Sequence, residues 1–221
     1  MSKKIILLAL AAASVAACSL SATAMAAEED VPLHIVPQLV GAKPIDGEGT
    51  ATLTSGFGSV VCTSASGTAT FENSTTGTLE QTLKGCTLGS SNCTTSGQAT
   101  GVVTTASLPF HLVTVKDTPT GETGPGILVT TNLGSFASFT CGFLGFNVGG
   151  NGLIGTITKP NCGNEAFEAT IKFSSSSTGV QTHRTVVGTL TEYSLETSAS
   201  SASEDWSGVI TFGQTSRLEC T

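Results

Sequence analysis

Charge is scarce in this chain: only 11% of its 221 residues are Asp, Glu, Lys or Arg, and the balance is −7. The few cations are scattered. Nucleic acid and anionic membranes recruit clustered Lys and Arg, so both are excluded as partners. Histidine is rarer still, with His34, His111 and His183 in different segments and no two at metal-ligand spacing. No G-x-S-x-G occurs and nothing else marks a nucleophile, which makes a hydrolase the least supported reading. No pair of cysteines is spaced C-x-x-C, so neither a zinc ribbon nor a redox pair is expected. No apolar run reaches the ~20 residues that a membrane-spanning helix needs. A cofactor has no visible site.

Aromatic residues are few and one-sided, with one Trp and one Tyr against ten Phe. Stacking platforms for sugars draw on Trp and Tyr, whose amphipathic rings suit wet surfaces, whereas Phe in alternating strands is core. Trp206 is the single candidate platform, and its place in the pattern faces it inward.

What the chain does have is Gly (26), Ser and Thr, with 39% hydrophobic residues, the composition of short strands joined by tight turns. Lys3 and Lys4 precede an apolar run, Ile5 to Ala17, and Ala24-Met25-Ala26 closes an A-x-A site, so 1–26 reads as an export signal. Val15-Ala16-Ala17-Cys18 also has the shape of a lipobox, in which Cys18 is lipidated and becomes the first mature residue. One route gives a secreted protein and the other an envelope-attached one.

The segment Thr50 to Cys86 returns in part as Val129 to Cys162. Thr52, Phe57, Ser59 and Cys62 match Thr131, Phe136, Ser138 and Cys141 at constant offset, and Gly77-Thr78-Leu79 matches Gly155-Thr156-Ile157. This is the signature of an internal duplication. Setting Cys18 aside leaves 7 − 1 = 6 cysteines, Cys62, Cys86, Cys93, Cys141, Cys162 and Cys220, which suggests three disulfides in an oxidising compartment. Six cysteines permit 15 connectivities. The duplication favours an equivalent bond in each copy, Cys62–Cys86 and Cys141–Cys162, leaving Cys93–Cys220 to tie back the C-terminus.

Along the chain, 27–48 reads as an extended arm with Pro32, Pro37 and Pro44, whose apolar residues could dock as an edge strand. Residues 49–221 read as a single β domain. Leu88 to Gly97 is a polar loop. In Val102 to Lys116, Leu108, Phe110 and Leu112 point one way and Val113 and Val115 the other, so both faces are expected to be covered. Phe139, Cys141 and Phe143 alternate inward. Glu165 to Phe173 gives the cleanest alternation, with Phe167, Ala169, Ile171 and Phe173 inside. A final hairpin turning at Ser200-Ser201 would set Leu195 opposite Trp206 and Thr191 opposite Ile210, with Tyr193, Leu195, Trp206, Ile210 and Phe212 sharing the core face.

That register places Glu196 opposite Asp205 on the outer face, with Glu204 nearby. Paired carboxylates of this kind could hold calcium or act as acid and base on a glycoside. The favoured reading is solvated charge near a hairpin tip, or a register other than this one, because like charges directly opposite repel.

With the T-x-x-x-x-F-x-S-x-x-C segments and the Thr/Gly/Ser-rich strands in view, the mature chain resembles uncharacterised exported bacterial proteins that are all-β and disulfide-clamped. The resemblance covers most of Thr50 to Cys220, implies a fold class and an address, and transfers no functional residue. The expected architecture is an antiparallel β-sandwich or barrel with an internal duplication. The expected function is a non-enzymatic extracellular module, structural or adhesive, and the alternative is a binding module for a glycan or small ligand with a cell-surface partner.

Overall fold

The computed structural model describes residues 33–116, 123–131, 134–175, 180–183, 185–189, 191–197 and 200–220. Residues 1–26, read from sequence as an export signal, and with them Cys18 lie outside the described residues. The described residues form one antiparallel sheet of sixteen strands in a ring-like arrangement. They are β1 (His34–Val36), β2 (Gly41–Ser55), β3 (Gly58–Cys62), β4 (Ser64–Phe71), β5 (Thr76–Lys84), β6 (Thr87–Leu88), β7 (Ser91–Thr94) and β8 (Val102–Thr104). There follow β9 (Leu108–Lys116), β10 (Thr123–Thr130), β11 (Ser135–Cys141), β12 (Leu144–Gly150), β13 (Gly152–Lys159), β14 (Glu165–Phe173), β15 (Leu195–Thr197) and β16 (Ser200–Glu219).

Most of these strands are halves of longer ones. Read end to end, β2, β3–β4, β5–β6, β7–β8–β9, β10–β11, β12–β13, β14–β15 and β16 make eight runs, each hydrogen-bonded to the run before it and the run after it. β16 then pairs back onto β2 from Ala202↔Ser55 to Ile210↔Ile45, and the meander closes on itself. Closure removes the exposed edges that would otherwise recruit other chains.

The alternation of residue types explains which side faces in. On β14, Ala169, Ile171 and Phe173 are buried while Glu168 and Lys172 are exposed; on β5, Leu79 and Leu83 are buried while Glu80 and Lys84 are exposed. Inward residues from every run merge into one core around Trp206, Phe110, Phe173 and Phe212. A lipid-spanning barrel shows the reverse pattern, with its apolar residues outside. Val115 and Leu128 face outward but are buried, because the crossing between β14 and β15 lays Val186 over them, with Val113 and Tyr193 alongside. Both faces of β9 are covered here, as its sequence indicates.

The arm does more than lead into the sheet. Leu33, Ile35 and Leu39 are buried in the core, Ile35 N–H donates to Ser74 C=O (3.0 Å), and β1 pairs with the end of β16, so this segment stoppers one end of the ring. Gly41 to Glu48 is already β2. Pro44 is tolerated because the β16 ladder ends at Ile45, one residue short of it.

Several expectations are corrected. The last hairpin closes Thr197 against Ser200, so Leu195 faces Ala202 and Trp206 faces Phe173 of β14. Leu195, Trp206, Ile210 and Phe212 do share the core, whereas Tyr193 is only half-buried, outside the ring. Phe143 is exposed because the chain turns at Gly142-Phe143 before the alternation reaches it. Phe167 is exposed because the β14–β16 register breaks between Ala166 and Glu168: β16 advances from Thr211 to Ser216 there, and its Phe212 takes the interior place. The polar loop from Leu88 contains the β6–β7 hairpin.

Three disulfides staple the ring, Cys62–Cys86 as expected, then Cys93–Cys141 and Cys162–Cys220. The copies are not bonded alike, because Cys141 lies directly across from Cys93 on the β7–β11 ladder. The first two bonds sit side by side, Cys93 N–H donating to Cys86 C=O (2.8 Å), where β6 and β7 are too short to hold by backbone pairing alone. The third ties the C-terminus to the loop after β13. Cys141→Ser is accordingly expected to free a thiol at Cys93 and none at Cys162, which a non-reduced peptide map with thiol labelling reads directly. Label at Cys162 would refute this pairing.

Candidate functional site

Antiparallel order fixes where the turns go. The two-residue turns of β2–β3, β6–β7 and β11–β12, together with the Thr197–Ser200 closure, all fall at the end of the ring opposite the β1 stopper. They stand side by side: a Cβ on Gly58 would lie 3.2 Å from Leu88 Cδ1 and one on Gly142 3.3 Å from Ser91 Oγ, and Leu88 and Ser91 are partners. Gly56 N–H donates to Ser200 Oγ (2.7 Å), joining the fourth closure to the first turn.

Two of these turns are Gly-Phe. Gly142 has φ +60°, the left-handed conformation that a tight hairpin demands and glycine adopts without strain, and it projects the next residue outward. Phe143 is 96% exposed and Phe57 57%, with Leu144 also exposed. Phe57 is braced edge-on by Phe146 (6.2 Å between centroids), which stacks on Phe139 at 5.3 Å. Ser55 to Ser59, Leu88 to Asn92 and Cys141 to Gly145 contain no charged residue. The result is a crown whose three two-residue turns carry no charge, two of them bearing aromatic rings at their tips, with Glu196 exposed beside the fourth closure.

The residues singled out from sequence do not meet. Glu196 pairs with Ser201 and Asp205 with Thr52, which separates them by four residues of β16, about 13 Å of strand. Both are exposed, and among the described residues no group of three or more His, Cys, Asp and Glu is placed to hold a metal. Trp206 is buried and stacked on Phe173 at 5.9 Å, so it offers no platform. His34 Nε2 lies 3.1 Å from Glu219, while His111 faces outward on β9.

Glu204 is the residue that sequence reasoning undervalued. It shares the inward parity of Trp206, two residues on, and that parity was the available signal. Its side chain is fully buried, and neither carboxylate oxygen has a hydrogen-bond partner among the described residues. Burial pushes its pKa up to about 8; the adjacent Gln81 amide opposes this and the Asp205 charge adds to it. Gln81 approaches without hydrogen-bond alignment, so burial prevails. The backbone of Glu204 is better served. β14 stops pairing at Trp206 and β15 starts at Ala202, and Gln181 fills the gap by donating to Glu204 C=O (3.2 Å) and accepting from Glu204 N–H (3.2 Å).

No protein-family profile, curated protein or solved structure matches this chain.

Proposed function

We propose that the chain is an exported, non-enzymatic adhesive module that attaches through its crown to an uncharged lipid surface. The carrying observation is Phe143, 96% exposed at the tip of a two-residue turn at the same end of the ring as Phe57. Leaving two rings in water is unfavourable, and burying each on attachment contributes roughly 1.5–3 kcal/mol. A fluid bilayer suits separate protruding tips better than a flat protein face does, and the charge-free turns enter it without stripping water from ions. The net charge of −7 favours neutral over anionic lipid. The chain enters the ring at Leu33, the far end, so an N-terminal tether would leave the crown pointing outward. Three disulfides suit the oxidising, non-cytoplasmic setting that this role requires.

The double variant Phe57→Ser/Phe143→Ser tests the reading. It is expected to lower the melting temperature only slightly, since Phe143 stands in water and Phe57 gives up one edge-on contact with Phe146, and to lose most retention on phosphatidylcholine-coated beads. Equal retention, or wild-type binding only to phosphatidylglycerol, would defeat it.

A further inference from the structure

A concavity of about 730 Å³ opens on the outer face of β2, β16, β14 and β13, far from the crown. Its floor is Val209 and Thr170, which are cross-strand partners, and its wall is the loop between β13 and β14. That wall is tied to the end of the chain at two points, Cys162 bonded to Cys220 and Gly163 N–H donating to Leu218 C=O (2.7 Å), and is braced within itself by Asn164 N–H donating to Asn161 C=O (3.1 Å). The register break of β14 turns Phe167 outward onto the same concavity with 62% of its surface exposed. Around it stand the carboxylates of Glu48 and Glu168 and the amides of Asn161 and Asn164. Glu48 is already positioned, its Oε2 accepting from Ser207 Oγ (3.3 Å).

We infer that this concavity binds a neutral saccharide, with the Phe167 ring against the C–H face of a sugar and the Glu48, Glu168, Asn161 and Asn164 side chains on its hydroxyls. The combination is specific to polyols. An apolar ligand would strand four polar side chains, whereas hydroxyls satisfy carboxylate acceptors and amides alike. A bare aromatic face completes the fit, because sugar rings present an apolar C–H surface on one side and a polar rim at the edge. Glu48, Glu165 and Glu168 outnumber Lys159, which repels uronic and sialic acids. Pinning the loop in advance lowers the ordering cost of binding. This inference is independent of the crown.

The test is calorimetric titration of the full mature protein with neutral oligomers of glucose, mannose, galactose and N-acetylglucosamine, alongside polygalacturonate and oligolysine. At least one neutral oligomer should bind and polygalacturonate should not. Phe167→Ala and Glu48→Gln/Glu168→Gln should each weaken binding by about tenfold or more with an unchanged melting temperature, the loss expected of a central contact. The crown variant Phe57→Ser/Phe143→Ser should bind sugar as the wild type does, which separates this site from the adhesive reading. No binding of any neutral oligomer, binding that survives Phe167→Ala, or a preference for oligolysine would overturn the inference.

Discussion

Glu204→Gln is expected to raise the unfolding free energy above pH 8 by about 4–5 kcal/mol and to leave it nearly unchanged at pH 4. The carboxyl is fully buried, and burial raises its pKa from 4.5 to about 8, each tenfold change in proton affinity being worth about 1.4 kcal/mol. The sign follows from which state releases the proton first. Below pH 4.5 both the folded and the unfolded chain carry the proton, and the group adds nothing to the pH dependence of stability. Between pH 4.5 and 8 the unfolded chain ionises while the folded one does not, so stability falls by about 1.4 kcal/mol per pH unit. Above pH 8 the loss is complete. Glutamine keeps the shape and removes the titration, so denaturant unfolding across pH 4–9 should give a sloping line for the wild type and a flatter one for the variant. Parallel lines would place Glu204 in contact with water.

Trp206→Ala is expected to cost about 3–5 kcal/mol, the usual penalty for emptying a large aromatic site in a core that cannot collapse around it. The ring stacks on Phe173, and Gly208 is shaped to admit it, since a Cβ there would come within 2.7 Å of Trp206 Cζ2. The neighbouring strand offers the control. Phe167→Ala removes an aromatic side chain from β14, yet it should change stability by less than about 0.5 kcal/mol, because Phe167 stands in water. Thermal and urea denaturation of both variants measure the contrast. A near-neutral Trp206→Ala would mean that the indole lies on the surface and would reopen it as a binding platform.

Where the pattern was local, the sequence sufficed. Ala169, Ile171 and Phe173 alternate with charged or hydroxyl-bearing neighbours, and a period of two can be satisfied only by a strand with one wet face. Leu108, Phe110, Val113 and Val115 announced a strand covered on both sides for the same reason. Cys62–Cys86 formed as the duplication suggested, but the same argument failed for Cys141.

Tertiary structure decided the rest, because register and pairing partner are properties of two strands at once. Cys141 bonds Cys93 instead of Cys162 because β7 and β11, 48 residues apart at their cysteines, become neighbours in the closed ring. Phe167 left the core when β16 bulged opposite it, and Phe143 when a turn cut the alternation short; neither event is written in the period of its own strand. Glu196 and Asp205 parted because the hairpin closes at Thr197–Ser200, a shift that moves every partner beyond it. The amino-acid sequence by itself determined an all-β chain with alternating faces and cysteines enough for three staples. Which side chains gather into a crown, a groove or a buried carboxyl was settled by strands far apart in sequence, whose contacts no local pattern encodes.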